Sequence, residues 1–318
     1  MKAQDISCVT IIGAGTMGVG IAGEYARVGC EVRLVDLNDQ LLQRGMNLLR
    51  SAQKSLIEAK LLSTKDADLA VKRIKPLTSL KKACDQAEFV IEVVSEDMDI
   101  KKEMFNRFDN LCPKNAIIVS NTSGLSITEI AGATKRPNLV AGMHFWNPPH
   151  IIPLVEVTKG KKTSDSTAKV VLDMCHRIGK RPILVRHDVP GFVGNRLQFA
   201  VMREALFILS EGIASAEDID TAMTAGPGLR YSLLGPLRTA DLGGLDVFLA
   251  ISKYLFQELN SGTSPPDMME ELVRKGNLGT KTGSGFYKYS EKELKKIIKQ
   301  RDTTLLKILK VLKKQEGR

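Results

Sequence analysis

The feature that most constrains this chain lies near its start. An apolar run, Cys8 to Ile12, passes directly into Gly13, Ala14, Gly15, Thr16, Met17 and Gly18, and an apolar helical stretch follows. In a strand–turn–helix of this kind the first glycine permits the tight turn, the second lets a ligand approach the backbone, and the third lets helix and strand pack closely. The helix N-terminus adds N–H donors and the positive end of its dipole, which suit a pyrophosphate. Asp36 closes the next strand-like run, Glu31 to Val35, 18 residues beyond Gly18, where a carboxylate can accept hydrogen bonds from a ribose diol. These residues predict a dinucleotide site on Gly13, Gly15, Thr16, Met17, Gly18 and Asp36. A carboxylate there repels a 2′-phosphate, and Leu37 and Asn38 supply no compensating arginine, so NAD is expected rather than NADP.

Further short apolar runs, Phe89 to Val93, Ala116 to Ser120 and Leu139 to His144, alternate with helical patterns. That rhythm predicts an α/β fold, a Rossmann-type doubly wound and mostly parallel sheet wrapped by helices. The segment from Asp39 to Ala70 has helical spacing interrupted near Leu62 and Ser63, which reads as a helical hairpin. Two more strands, Leu154 to Thr158 and Ile183 to Val185, flank a helix from about Asp165 to Ile178. After Asp188, Val189, Pro190 and Gly191 the pattern is helical to the end, beginning with Phe192 to Glu211 and Ser215 to Ala225. We therefore expect a nucleotide-binding domain at 1–188 and an all-α domain at 189–318.

The net charge of +10 raises the question of nucleic acid, and its location answers it. Residues 288–318 hold 11 of the 46 basic and 4 of the 36 acidic residues, so the tail carries +7 and the rest of the chain +3. A last helix, about Glu291 to Lys314, places Leu294, Ile298, Leu305, Leu309 and Leu312 on one stripe, with no aromatics among its lysines. It reads as a helix packed on the body or on a partner subunit, not as a nucleic-acid surface. No run reaches the length of a membrane helix, and five scattered cysteines suggest neither a disulfide framework nor a metal site. A cytoplasmic protein with a small-molecule substrate is expected.

His144 ends a predicted strand, at the edge of an open parallel sheet where ligands bind, and Trp146, Asn147 and two prolines follow. Twelve residues on, Glu156 interrupts the apolar run Leu154, Val155, Val157, where a carboxylate is costly to bury unless paired. Such a pair fits a general base with its orienting partner. Spacing alone fits equally a core histidine beside an edge-strand glutamate facing water. Ser126 and Glu129 form a capping box, which leaves Ser123 for a ligand. Asn195 opens the long helix, with no role fixed by its position.

Several separate stretches carry a family resemblance: GAGTMGVGIA from Gly13, EDMDIKKEMF from Glu96, SNTSGLSITE from Ser120, GMHFWNPP from Gly142, PGFVGNR from Pro190 and LGTKTGSGFY from Leu278. Over about Val9 to Tyr289 the chain resembles the 3-hydroxyacyl-CoA dehydrogenase family. The resemblance implies that His144 is the catalytic base, that Glu156 holds its ring, and that Ser123 and Asn195 hydrogen-bond the reacting oxygens. It places further cofactor contacts on Glu96, Lys101, Asn147 and Lys281, implies an NAD-dependent oxidation of a short 3-hydroxyacyl-CoA such as 3-hydroxybutyryl-CoA, and suggests a homodimer joined through the helical domain.

Departures from that pattern concern the substrate. Where close short-chain members carry two lysines that meet the phosphates of coenzyme A, this chain has Ser51 and Ser55, with Arg50 and Lys54 about 100° away round the helix. The stretch Gly228, Leu229, Arg230, Tyr231 is similar to relatives acting on free hydroxy acids, such as gulonate or carnitine dehydrogenases, and Arg230 is a candidate partner for a substrate carboxylate. An alternative is therefore a dehydrogenase of a free, carboxylate-bearing 3-hydroxy acid or alcohol. A non-catalytic binding protein that keeps the fold is the third expectation, against which the intact set of Ser123, His144, Glu156 and Asn195 argues. The beta-hydroxyacid dehydrogenases with a catalytic lysine fit less well, because Asn195 stands where that lysine would be.

Overall fold

The computed structural model describes residues 2–315. Eight strands form one sheet: β1 (Cys8–Ile12), β2 (Glu31–Val35), β3 (Ile74–Leu77), β4 (Phe89–Glu92), β5 (Ile117–Ser120), β6 (Val140–Phe145), β7 (Leu154–Thr158) and β8 (Arg181–Val185). Their order is β3-β2-β1-β4-β5-β6-β7-β8, with every neighbouring pair parallel except β6 and β7. Strand β3 is absent from the sequence reading. It is short and lies at the sheet edge, and Lys75 and Pro76 break its apolar pattern, which an edge strand tolerates.

Helices α1 (Thr16–Arg27), α2 (Asp39–Glu58), α3 (Thr64–Arg73), α4 (Leu80–Cys84), α5 (Met98–Leu111), α6 (Ile127–Gly132) and α7 (Asp165–Arg177) connect the strands. Side chains at their starts satisfy free backbone donors: Asn38 caps α2, Ser63 caps α3, Asp97 caps α5, Ser126 caps α6 and Ser164 caps α7. Because strand side chains alternate, Ile11 and Leu34 join a core with Ile21 and Tyr25 of α1, while Ile12, Val90 and Ile118 join another with Phe105 and Phe108 of α5. Each fully buried side chain of this size contributes about 1.5–3 kcal/mol.

The remaining helices are α8 (Gly194–Ser210), α9 (Ala216–Ala225), α10 (Pro227–Tyr231), α11 (Pro236–Gly243), α12 (Leu245–Glu258), α13 (Asp267–Arg274) and α14 (Glu291–Gln315). By its contacts the chain divides into two compact units. One runs to Arg196 and takes in the residues from Lys299 onward; the other is Leu197–Ile298.

Within the first unit, a satellite core joins Leu56, Leu62 and Ala67 of the α2–α3 hairpin to Ile151, in the β6–β7 connection, and to Leu306 of α14. Leu305 and Leu309, both on the expected stripe, pack against it. The buried residue, Leu306, is not on that stripe, and Ile298, which is, remains exposed. The last residues of the basic tail, 316–318, lie outside the described residues. Within the second unit only Leu206 and Thr239 are buried, while Leu237, Leu242, Phe256 and Tyr254 are exposed. Helix α10 starts directly after Gly226, with Pro227 in its first turn.

Candidate active site

The β1–α1 turn has the geometry its glycines imply. Gly13 sits at φ +114°, a left-handed conformation, and a Cβ there would lie 2.4 Å from the Val93 carbonyl oxygen; a Cβ on Gly18 would lie 1.9 Å from the Gly13 oxygen. Over Gly15 the space is open, with no atom within 4 Å of a Cβ position, and Gly15 and Thr16 are exposed at the start of α1. Met17 is half-buried beside the core. Asp36 Oδ2 accepts from the Ala14 N–H at 2.7 Å, and Oδ1 accepts from the Leu37 N–H at 2.7 Å. Each oxygen keeps a second lone pair for a ribose hydroxyl. The turn, the open backbone over Gly15 and the carboxylate at the end of β2 fit NAD.

The antiparallel pairing of β6 with β7 sets His144 directly opposite Glu156. Nδ1 of His144 lies 2.9 Å from Glu156 Oε2, with the ring 5% exposed and the carboxylate fully buried. The reading of Glu156 as an edge glutamate facing water is thereby excluded, since β8 covers β7 and places Ile183 beside Glu156. Oε2 also accepts from Trp146 Nε1 at 3.1 Å, while Oε1 accepts from the backbone N–H groups of Val193 and Gly194 at 3.0 and 2.9 Å. Burial pushes the Glu156 carboxyl up, but the His144 bond and the two N–H groups prevail and hold it below the usual carboxylate range. Phe192, fully buried at φ +51°, makes the bend that aims those N–H groups at Glu156, and its ring stands 6.0 Å from the imidazole.

A second network positions Ser123. Glu96 Oε1 accepts from Thr122 Oγ1 at 2.6 Å and from the Ser123 N–H at 2.7 Å, and Asn195 Nδ2 donates to the Ser123 carbonyl at 2.8 Å. Lys101 is 1% exposed; its Nζ lies 2.8 Å from Glu92 and 3.4 Å from Glu96. Glu92, wholly buried at the end of β4, further accepts from Ser120 Oγ at 2.6 Å and the Val94 N–H at 2.8 Å. Ser126, the α6 cap, donates to Asp188 Oδ2 at 2.7 Å, so the residues before α8 are tied to the loop that presents Ser123.

The structure thus brings His144 together with Glu156, and Ser123 with Glu96 and Asn195. Asn147 is exposed in the connection that leaves β6. Arg50 and Lys54 are exposed on α2, where Arg50 Nη1 donates to Asn47 Oδ1 at 3.3 Å. Arg230 and Lys281 belong to the second compact unit, both exposed, Arg230 in α10. Sequence reasoning missed Glu92, the Trp146 bond and the N–H groups of Val193 and Gly194. A carboxylate in the run Phe89, Val90, Ile91, Glu92 was a usable signal for the first; the others carry no local signature.

Two family models cover nearly the whole chain: the NAD binding domain of 3-hydroxyacyl-CoA dehydrogenase matches residues 8–189, and its C-terminal domain matches residues 191–289. The 5-formyl-3-hydroxy-2-methylpyridine 4-carboxylate 5-dehydrogenase of Mesorhizobium japonicum is 32% identical over 308 residues, covering 97% of this chain and 99% of that protein. A probable 3-hydroxybutyryl-CoA dehydrogenase of Bacillus subtilis is 39% identical over 290 residues, 91% of this chain and 99% of that protein. A crystal structure of a 5-dehydrogenase of that pyridine carboxylic acid, described as an NAD+ dependent dismutase, superposes with a TM-score of 0.90 at 33% identity, covering 98% of this chain and 99% of that one. The chain is an NAD-dependent oxidoreductase and belongs to the 3-hydroxyacyl-CoA dehydrogenase family.

Proposed function

We propose that this enzyme oxidises a hydroxyl-bearing carbon on a small, free carboxylate, with His144 as the base. The observation that carries the chemistry is the buried His144–Glu156 contact at 2.9 Å. With Nδ1 engaged by the carboxylate, Nε2 is the nitrogen left to take the substrate hydroxyl proton, and the resulting imidazolium meets an anion that three other donors keep ionised. Bound NAD supplies the hydride acceptor. Ser123 and Asn195 orient the reacting oxygen, with Glu96 and the Ser123 carbonyl fixing their backbone and side chain. Gly13, Gly15, Thr16, Met17, Gly18 and Asp36 hold the cofactor, joined by Asn147 and Lys281, and Lys101 acts on the site by fixing Glu96.

The substrate assignment rests on the end of the chain. The Bacillus 3-hydroxybutyryl-CoA relative is spanned by 290 matched residues and the C-terminal family model stops at residue 289, whereas the pyridine carboxylate relative matches over 308. Helix α14 begins after that point, and its Leu306 is buried on the same hairpin that carries Ser51 and Ser55, where the family resemblance would put the lysines that meet coenzyme A phosphates. Both features favour a free acid, with Arg230 as the partner of its carboxylate. The higher identity of the Bacillus protein, 39%, supports a second reading, oxidation of a short 3-hydroxyacyl-CoA with Arg50 and Lys54 toward the thioester's phosphates.

We further assign a homodimer, supported by the exposed apolar side chains of Leu197–Ile298, and a cytoplasmic location, supported by five free cysteines. The substrate test is NADH formation by the purified protein with 3-hydroxybutyryl-CoA, 3-hydroxybutyrate, gulonate and carnitine at equal concentrations. Preference for a free acid, lost in Arg230→Ala, is the expected result; preference for the thioester moves the assignment to the second reading.

A further inference from the structure

Trp146 is the chain's one tryptophan, and its indole N–H has a charged acceptor. Nε1 donates to Glu156 Oε2 at 3.1 Å, the same oxygen that faces His144 Nδ1 at 2.9 Å. The indole and imidazole centroids are 5.4 Å apart, with the rings tilted by 48°. The edge of the indole that carries Nε1 rests on Gly194, where a Cβ would fall 2.4 Å from Cζ2 and 3.2 Å from Cε2, and Gly194 itself donates to Glu156 Oε1. Packing against Gly194 thus fixes the ring so that its N–H points at the carboxylate.

We propose that Trp146 is a positioning residue that divides Glu156 Oε2 between two donors and thereby limits how firmly the carboxylate holds a protonated His144. The inference rests on His144 being the base. An indole N–H can only donate, so it withdraws electron density from the oxygen that would otherwise serve the imidazolium alone. A base in a reversible hydride transfer must give its proton back as readily as it takes it, and an overstabilised imidazolium would favour one direction.

The charged groups around the pair are few. His144 comes from β6 and Glu156 from β7; β8 sets Ile183 beside Glu156; the start of α8 brings backbone N–H groups, the amide of Asn195 and then Arg196, whose side chain is exposed. Across β6, β5 ends in Ser120 and leads to Ser123, which Glu96 holds through its backbone. The titratable side chain that acts on Glu156 is His144.

The decisive variant is Trp146→Phe, which keeps an aromatic ring and removes the donor. With Oε2 left to His144 alone, the imidazolium is stabilised, and the acid limb of kcat/KM for oxidation moves to higher pH by about 0.5–1 unit. The basic limb of the reverse reaction, which needs the imidazolium, moves upward too. Loosened packing would lower the plateaus without displacing both limbs together. Limbs that stay at their wild-type pH overturn the proposal.

The lone tryptophan offers a reading that needs no turnover and no substitution at position 146. Wild-type Trp146 emission, with neither substrate nor cofactor, should titrate with the midpoint of the oxidation acid limb, and His144→Gln should flatten that titration. Emission independent of pH across the limb, or a titration that survives in His144→Gln, overturns the coupling. Failure of the underlying reading looks different, because then His144→Gln retains turnover; if that variant is inactive while the Trp146→Phe limbs stay in place, only the present inference falls.

Discussion

The two compact units of the chain treat their apolar side chains in opposite ways. In the unit built on the sheet, Tyr25, Phe89, Phe105, Phe108 and Phe145 are all below 2% exposed, and carboxylates that are wholly buried have full sets of donors. In Leu197–Ile298, by contrast, Leu237 is 83% exposed, Leu242 72% and Phe256 71%. A sheet covered on both faces by helices closes its own core, and what it leaves for solvent is largely polar. Helices with this many large apolar side chains left open lack that closure, and exposed apolar surface gathered into a patch marks association sites in general. The difference teaches that the sheet unit closes its own core, while Leu197–Ile298 leaves large apolar side chains open, the feature on which the proposed homodimer rests.

The largest effect that can test this division is on turnover. His144→Gln should lower kcat by about 10²–10⁴-fold, the range for a lost general base, while NAD binding and the oligomeric state hold. Normal turnover would remove the chemistry from the β6–β7 pair. Next comes association: Leu242→Asp combined with Phe256→Asp should weaken self-association by about 100-fold, as loss of central apolar contacts does, seen by light scattering as a shift toward a single chain. Unchanged particle mass would place the interface elsewhere.

A third, smaller effect concerns the satellite core where Leu306 of α14 packs in the sheet unit. Leu306→Ala should cost about 2–4 kcal/mol in urea unfolding of the sheet unit, the usual range for a buried leucine, and leave association untouched. A loss under 1 kcal/mol would make α14 an accessory.

The smallest is a pH dependence. Burial, followed by the positive charge of Lys180, pushes His150 down to about 4, with Asp302 of α14 opposing it. The unfolded chain therefore binds a proton that the folded chain refuses between about pH 6.5 and 4, so stability falls as the pH drops through that window. His150→Asn should flatten this dependence by about 1–2 kcal/mol between pH 7 and pH 5. Truncation before Leu305 should flatten it also, by opening His150 to water; an unaltered slope in both variants would separate the histidine from the tail.

Much of this was readable from sequence, and the reason is range. The β1–α1 turn, Asp36, the Ser126 cap and the alternating strands are decided within a few residues, by turn sterics, donor satisfaction and side-chain periodicity. Glu156 stood out as a carboxylate in an apolar strand, but spacing fitted equally an edge glutamate facing water, and the pairing of β6 with β7 decided between the two. What the periodicity hid was decided by distant neighbours. Strand β3 exists because β2 offers it an edge, and Lys75 and Pro76 mask it. Leu306 looks like one more leucine in a basic helix until the hairpin meets it. The bond from Trp146 depends on the shape of Gly194, 48 positions further along the chain. Nor does any local pattern show that the helical unit keeps its apolar stripes open, since amphipathic helices read alike whether their partner is inside the same chain or outside it.

The ladder between β6 and β7 has one more consequence. His144 faces Glu156 because Gly142 faces Thr158 and Phe145 faces Val155, a relation held by backbone pairing and not by the residues in between. The twelve-residue gap that drew attention to the pair in the sequence is therefore incidental to their meeting. The connection beyond Trp146, from Asn147 to Pro153, can lengthen or change composition without moving the base from its carboxylate, provided the pairing keeps its frame. A lineage with this sheet could thus remodel the rim of its pocket, and so its choice of substrate, while inheriting the proton-transfer pair intact.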